Sequence, residues 1–217
     1  MHETLRRLHR GQRAHGTTID RFRLNELVSQ VAFADRRGRV YRRIVALAGV
    51  RSGEAVLDVG CSGGYLARKL AAAAGPGGRV TGVDPSQAAI GDTRRYVGPA
   101  MTFTAGTAQD LALPDASFDV VTCTLAMHDV PARRRRDALG EMYRVTRPGG
   151  RMLIADFDSA PAALPAARRR GADAPRRRAA ASVGSLDELA AGVGYRTYWQ
   201  RALAGYADAV EALVEEA

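Results

Sequence analysis

The sequence predicts an α/β protein built on a doubly wound, mostly parallel sheet. Two observations carry this: short apolar runs alternate with helical stretches between residues 40 and 157, and a glycine-rich turn follows the first run. Alternation at this spacing makes a parallel sheet with helices on both faces. Right-handed crossovers then bring all the strand C-termini to one rim.

Each element has a local reason. A helix is predicted from about Val40 to Ala48, where Tyr41, Ile44, Val45 and Leu47 form a stripe. Gly49 caps it, and Arg51-Ser52-Gly53-Glu54 is a turn. Ala55 to Val59 is a short apolar run ending in glycines, hence a buried strand. Tyr65 to Ala74 is helical and stops at Gly75-Pro76-Gly77-Gly78. Arg79 to Asp84 is a second strand, followed by a helix from Ser86 to about Tyr96. Met101 to Ala105 and Phe118 to Thr124 are the third and fourth strands. A helix from about Ala132 to Val145 leads through the Pro148-Gly149-Gly150 turn into a fifth strand, Arg151 to Phe157.

The flanks are patterned less clearly. Residues 1–50 form an N-terminal helical segment that could fold over a site as a lid, and residues 51–217 form the main domain. Residues 158–184 are rich in alanine, arginine and proline and read as a flexible surface insertion. Ser185 and Glu188 have capping-box spacing, and Gly194 ends that helix. Tyr195 to Leu203 and Tyr206 to Val214 are candidate closing strands. The latter also suits a helix, because Ala207, Val210, Leu213 and Val214 share a helical face.

The chain of 217 residues suits one domain. No apolar stretch approaches the ~20 residues of a membrane span. The first residues, Met1 to Arg7, run straight into charges without a signal-type apolar block, so the cytoplasm is expected. Cys61 and Cys123 are too few for a disulfide framework, and nothing near them suggests zinc, so no metal is expected. The net charge of +9 invites a nucleic-acid reading. Yet Lys69 is the one lysine among 32 basic residues, as GC-rich coding would produce. The arginine bursts (Arg133 to Arg136, Arg168 to Arg170, Arg176 to Arg178) carry no interleaved aromatic residues for base stacking. The basicity reads as compositional, and the burst at Arg133 to Arg136 is expected to lie away from the glycine-rich rim.

The most informative stretch is Val56-Leu57-Asp58-Val59-Gly60-Cys61-Ser62-Gly63-Gly64-Tyr65. Glycines after a strand let the backbone take positive φ and let a ligand approach without Cβ clashes. No lysine followed by serine or threonine comes after them, so this is not a triphosphate loop. Asp84 ends the next strand, where a carboxylate can accept both hydrogen bonds of a ribose diol. With Pro85 after it, Asp84 is also a candidate cap for the following helix, a role compatible with the first.

These residues, with Gly106-Thr107-Ala108-Gln109-Asp110-Leu111, Pro114 to Asp119 and Arg147-Pro148-Gly149-Gly150, resemble class I S-adenosylmethionine-dependent methyltransferases. The similarity is greatest to C-methyltransferases of the ubiquinone/menaquinone-biosynthesis type. The resemblance implies a Rossmann-like, seven-stranded, mostly parallel sheet with the last strand antiparallel. It also implies S-adenosyl-L-methionine as cofactor. By the resemblance Asp58, Gly60, Cys61, Ser62, Gly63 and Gly64 cradle the methionine moiety. Asp84 and Pro85 lie at the ribose, Thr107 and Ala108 face the adenine, and Thr124 lines the crevice. The sequence departs from the family at Ser62, which replaces the middle glycine. It departs again at Thr107, where an acidic residue is usual and where Gln109 or Asp110 could substitute.

Methyl transfer needs alignment and exclusion of water, and a base only when the nucleophile holds its proton. His128 is the candidate catalytic base, with Asp129 beside it in sequence. Asp156 and Asp158 could line the substrate pocket on the same rim. Tyr65 could touch the cofactor carboxylate, and His9 and His15 belong to the lid segment. The leading expectation is methylation of a small molecule at O, N or C. The alternatives are an RNA methyltransferase using the arginine clusters and a non-catalytic S-adenosylmethionine-binding protein.

Overall fold

The computed structural model describes residues 37–157, 197–202 and 210–216. His9, His15, Asp158, the insertion at 158–184 and the capping box at Ser185 lie outside the described residues. Helix α1 spans Arg37–Ala48, followed by β1 (Ala55–Val59), α2 (Tyr65–Ala74), β2 (Arg79–Asp84) and α3 (Gln87–Thr93). Then come β3 (Met101–Ala105), β4 (Phe118–Thr124), α4 (Arg135–Val145), β5 (Thr146–Phe157), β6 (Thr197–Ala202) and β7 (Val210–Glu216).

Strands β1 to β5 form a parallel sheet in the order β3-β2-β1-β4-β5. On the far side of β5, β7 pairs with it antiparallel, and β6 pairs antiparallel with β7. The strand order reverses between β1 and β4, and ligands bind doubly wound sheets in the crevice outside the strand C-termini at such a point.

Strand alternation sorts the core into two layers. Leu57, Val121, Cys123, Met152 and Ile154 face α4, which contributes Ala138, Leu139, Met142 and Val145. Val56, Val80, Val120, Leu153 and Ala155 face α1 and α2, which bring Val40, Ile44, Leu66, Ala67 and Leu70. Asp58 therefore points to the α2 side, and Asp156 to the α4 side. None of the described helices is long and apolar enough to cross a membrane.

The N-terminal ends of the strands are held by arginine clamps. Arg151 donates to both carboxylate oxygens of Glu54 and to the carbonyls of Ala48 and Gly49, tying α1 to β5. Arg147 binds Asp119, whose other oxygen accepts the N–H of Ala55 at the start of β1. Arg144 reaches Glu141 and the carbonyls of Leu111 and Leu113.

β5 begins earlier than its glycine turn suggests. Phe118 pairs with Thr146 but Val120 pairs with Arg151, so Pro148-Gly149-Gly150 is absorbed as a register shift within the strand. Gly149 makes this possible at φ +77°. The predicted Ala132 to Val145 helix opens with a 3-10 turn at Ala132–Arg134 before α4 proper.

Gly82 in β2 is a position whose importance sequence patterning does not reveal. A Cβ there would lie 2.5 Å from a ring carbon of Phe103 and 2.9 Å from Cys61 Sγ. Overpacking of this kind typically costs 1–3 kcal/mol. Gly82→Ala is expected to lower stability by about that amount in urea denaturation, and an unchanged midpoint would show that the layer yields freely.

Candidate active site

Three loops meet at the C-terminal rim, those following β1, β2 and β4. After β1 the N–H groups of Gly60 and Cys61 both donate to the Val83 carbonyl, at 2.8 and 3.1 Å, docking the turn on β2. Gly60 stands at φ +74°. A Cβ there would lie 2.2 Å from Ala126 Cβ, so the β1 and β4 loops touch at this point. Any side chain at Gly60 would therefore strike Ala126. Gly63 is the open position, since a Cβ there would have nothing within 4 Å. Gly64, at φ +77°, starts α2 against the ring of Phe103.

Ser62 adopts φ +49°, a left-handed conformation unusual for a residue with a side chain. Its N–H donates to Asp84 Oδ2 at 2.9 Å. Asp84 Oδ1 accepts from the N–H of Ser86 at 2.8 Å. One buried carboxylate thus fixes the turns after β1 and β2. Asp84 is not the helix cap that Pro85 suggests. Ser86 is, because its side chain accepts the Ala89 N–H, and Pro85 is exposed. Each Asp84 oxygen keeps a further lone pair for a ligand hydroxyl.

Asp58, in the middle of the sheet, is 1% exposed. Thr122 on β4 donates to its Oδ1 at 3.1 Å and the Ala67 N–H in the first turn of α2 faces the carboxylate, while Oδ2 lacks a hydrogen bond of normal geometry among the described residues. Burial, with the charge of Asp84 adding to it, pushes the Asp58 carboxyl up to about 7. Burial also raises Asp84, against the two N–H bonds it accepts. The Thr124 hydroxyl, buried at the end of β4, is the second orphaned polar atom. Native proteins rarely bury such atoms unpaired, which makes the two oxygens candidate partners for a ligand.

Thr107 is exposed and forms a small bridge with Asp110, while Ala108 is half-buried against the core. The neighbouring Gly106 N–H donates to the Asp84 carbonyl, which brings this turn to the end of β2. Cys61 and Cys123 are both buried free thiols, and burial first, then the nearby carboxylates, raises both above the ordinary range. Tyr65 packs edge-on against Tyr41 at 5.0 Å and carries the cations of Arg68 and Lys69.

His128 lies in a 3-10 turn, Met127–Asp129, just after β4. The turn follows Leu125, held at φ +52° by an N–H bond to the Ala155 carbonyl. The partner of His128 is not Asp129, which stands 3.7 Å from Nε2 and is largely exposed. It is Asp156 at the end of β5, 1% exposed, which accepts Nδ1 at 2.8 Å and the His128 backbone N–H at 2.9 Å. Sequence reasoning placed Asp156 on this rim but missed the pairing, which only the β4–β5 register reveals. Arg135 also departs from expectation. It is buried, and its guanidinium donates to the carbonyls of Val130 and His128, so the burst at Arg133 to Arg136 is not remote from the site. Among the described residues no cluster of His, Cys, Asp or Glu could hold a metal ion.

Residues 56–150 match the family described as a methyltransferase domain. A demethylmenaquinone methyltransferase of Symbiobacterium thermophilum is 38% identical over 133 residues, 59% of this chain and 52% of that protein. A ubiquinone/menaquinone biosynthesis C-methyltransferase UbiE of Ectopseudomonas mendocina is 37% identical over 125 residues, covering 55% of this chain and 48% of its own length. The chain therefore matches about half the length of these curated relatives. A solved SAM-dependent methyltransferase from Aquifex aeolicus shares the fold, with a TM-score of 0.67 at 17% identity over 87% of this chain and 97% of that one.

The buried Asp58 supplies a pH signature. Its carboxyl stays protonated to about 7 in the folded protein against an ordinary value of 3.8, so the folded state binds the extra proton between these values. The stabilising contribution is full below 3.8 and lost as pH rises through about 7. Urea denaturation should show wild type losing stability relative to Asp58→Asn across that window. A difference that stays constant with pH would contradict the assignment.

Proposed function

We propose that this chain, which carries a methyltransferase domain over residues 56–150, is an S-adenosylmethionine-dependent methyltransferase acting on a small molecule. The observation that carries the reading is the pair of buried oxygens without normal hydrogen bonds, Asp58 Oδ2 and Thr124 Oγ1, at the C-terminal ends of β1 and β4, together with the open position at Gly63 in the turn after β1. S-adenosylmethionine fits this donor and acceptor set, because it combines positive charge, vicinal hydroxyls and hydrogen-bonding edges.

In this reading Asp58, Gly60, Cys61, Ser62, Gly63 and Gly64 form the cradle for the methionine part, with Asp58 meeting its charge. Asp84, with Pro85 behind it, holds the ribose hydroxyls through the lone pairs its two loop bonds leave over. Thr107 and Ala108 border the adenine, and Thr124 faces the crevice. When bound, the cofactor supplies a methyl carbon already activated by a sulfonium. The chain's own work is to align the acceptor and to keep water out. The seven-stranded order with β7 antiparallel suits this family, and the cytoplasm suits the enzyme. The relatives' names point to a quinone-like acceptor and methylation at carbon.

A second reading, RNA methylation, has one observation in its favour. Arg68 of α2 and Arg95 stack on Tyr96, in the turn after α3, at 4.5 and 4.9 Å, an aromatic and cationic patch between the two elements. Steep salt dependence of binding would mark it.

Asp84→Ala is expected to weaken S-adenosylmethionine binding by about 1.5–3 kcal/mol, the scale of lost charge-assisted hydrogen bonds. It should also lower stability, since two loop N–H groups lose their acceptor. Calorimetry on the folded variant checks the first effect. Unchanged affinity would remove Asp84 from the ribose site, and failure of wild type to bind at all would remove the proposed function.

A further inference from the structure

We propose that Asp156 and His128 form a base pair for the acceptor: Asp156 fixes the imidazole tautomer so that Nε2 takes a proton from an ionisable hydroxyl. The proposal deepens the methyltransferase reading and rests on it for the identity of the reaction.

The argument starts from the buried carboxylate. Asp156 is 1% exposed and accepts two hydrogen bonds from one residue, the backbone N–H of His128 through Oδ2 and the ring Nδ1 through Oδ1. An ionised carboxylate has only acceptors, so Nδ1 must carry the hydrogen. In a neutral imidazole the basic nitrogen is then Nε2. The backbone bond makes the arrangement bidentate and fixes the ring's position as well as its tautomer. Arg135, buried, adds a third restraint by donating to the His128 carbonyl from the other side of the turn.

The place of the pair matters as much as its chemistry. His128 follows Ala126 by two residues, and Ala126 is the residue that touches Gly60 at the strand-order reversal. The side chain is 18% exposed, enough to meet an acceptor but sheltered from bulk water. Among the described residues, the charged groups that contact it are Asp156 from β5, Asp129 from its own turn and Arg135 from α4.

The step balances. The acceptor's O–H bond breaks and its proton ends on Nε2. The freed electron pair, on oxygen or on a conjugated ring carbon, forms the bond to the methyl carbon. The carbon–sulfur pair withdraws onto sulfur, so the positive charge leaves the sulfonium and reappears on the imidazolium, which returns its proton to water. In methylation at carbon, the ring hydrogen is lost to water as aromaticity returns. Asp156 gains no proton and acts as a positioning residue.

The test uses the full chain with 15N-labelled histidine. Nitrogen NMR at pH 8 without cofactor should show His128 protonated at Nδ1 and bare at Nε2. In Asp156→Asn one acceptor becomes a donor, so the Nε2–H tautomer should appear, whereas Asp156→Glu should keep the wild-type form at least in part. Wild type found as the Nε2–H tautomer, or Asp156→Asn with an unchanged spectrum, overturns the proposal. In parallel, methyl transfer to 1,4-dihydroxynaphthalene should fall at least ~100-fold in kcat for His128→Ala, the low end of general-base effects. For Asp156→Asn it should fall by at least about tenfold. KM and cofactor affinity should hold, and the deficit should shrink as pH rises and the acceptor ionises unaided. A parallel loss of cofactor affinity would make the pair structural and sink the base role. If wild type binds S-adenosylmethionine but leaves this hydroquinone untouched, the tautomer measurement alone decides the proposal and the methyltransferase reading stands. If it binds no cofactor, that reading is what fails.

Discussion

The carboxylate of Asp84 accepts backbone N–H groups from two different loops, Ser62 beyond β1 and Ser86 beyond β2. That joint determines the geometry of the whole C-terminal rim. It holds Ser62 in a left-handed conformation at φ +49° that its side chain would otherwise disfavour. Such strain persists only where the surroundings over-determine it, and here a charged acceptor supplies the restraint. With the Ser62 turn fixed, Gly60 is pressed against Ala126, Gly63 is left open and Gly64 starts α2 over Asp58. Seen this way, Ser62 costs the turn less than a lost glycine would suggest.

The two ends of the sheet use charge in opposite ways. At the N-terminal ends, Glu54, Asp119 and Glu141 are each matched to an arginine, and each carboxyl sits below its ordinary value against the opposing effect of burial. At the C-terminal ends, Asp58 and Asp84 are buried without a cation, and both are raised. The first set is held by partly exposed ion pairs, whereas an ionised carboxylate buried without a partner costs stability. Uncompensated carboxylates are what a site awaiting a cationic ligand requires, and perturbed groups of this kind cluster at functional sites.

The five parallel strands and the helices between them were legible because strands of this sheet are buried on both faces and read as short apolar runs. The turn at Gly60 to Gly64 and the acidic end of β2 at Asp84 were legible for a similar reason, since few residue types fit those positions. What sequence could not supply was contact across the sheet. Asp156 and His128 are 28 residues apart and meet only through the pairing of β4 with β5. Ala126 and Gly82 matter through what a side chain would strike, which no periodicity records. Arg135 sits in a run of four arginines whose exposed members hide a buried one. Charge runs average over faces that the helix keeps apart.

The proposed function requires that Asp58, whose carboxyl burial holds up at about 7, give up its proton when the cationic cofactor binds. Titration calorimetry of the full chain with S-adenosylmethionine near pH 6.5, in two buffers of different ionisation enthalpy, tests this most directly. The account predicts heats that differ between buffers by a net release of protons, with the Asp58 share of that release absent in Asp58→Asn. Binding with the same proton exchange in wild type and variant would contradict it.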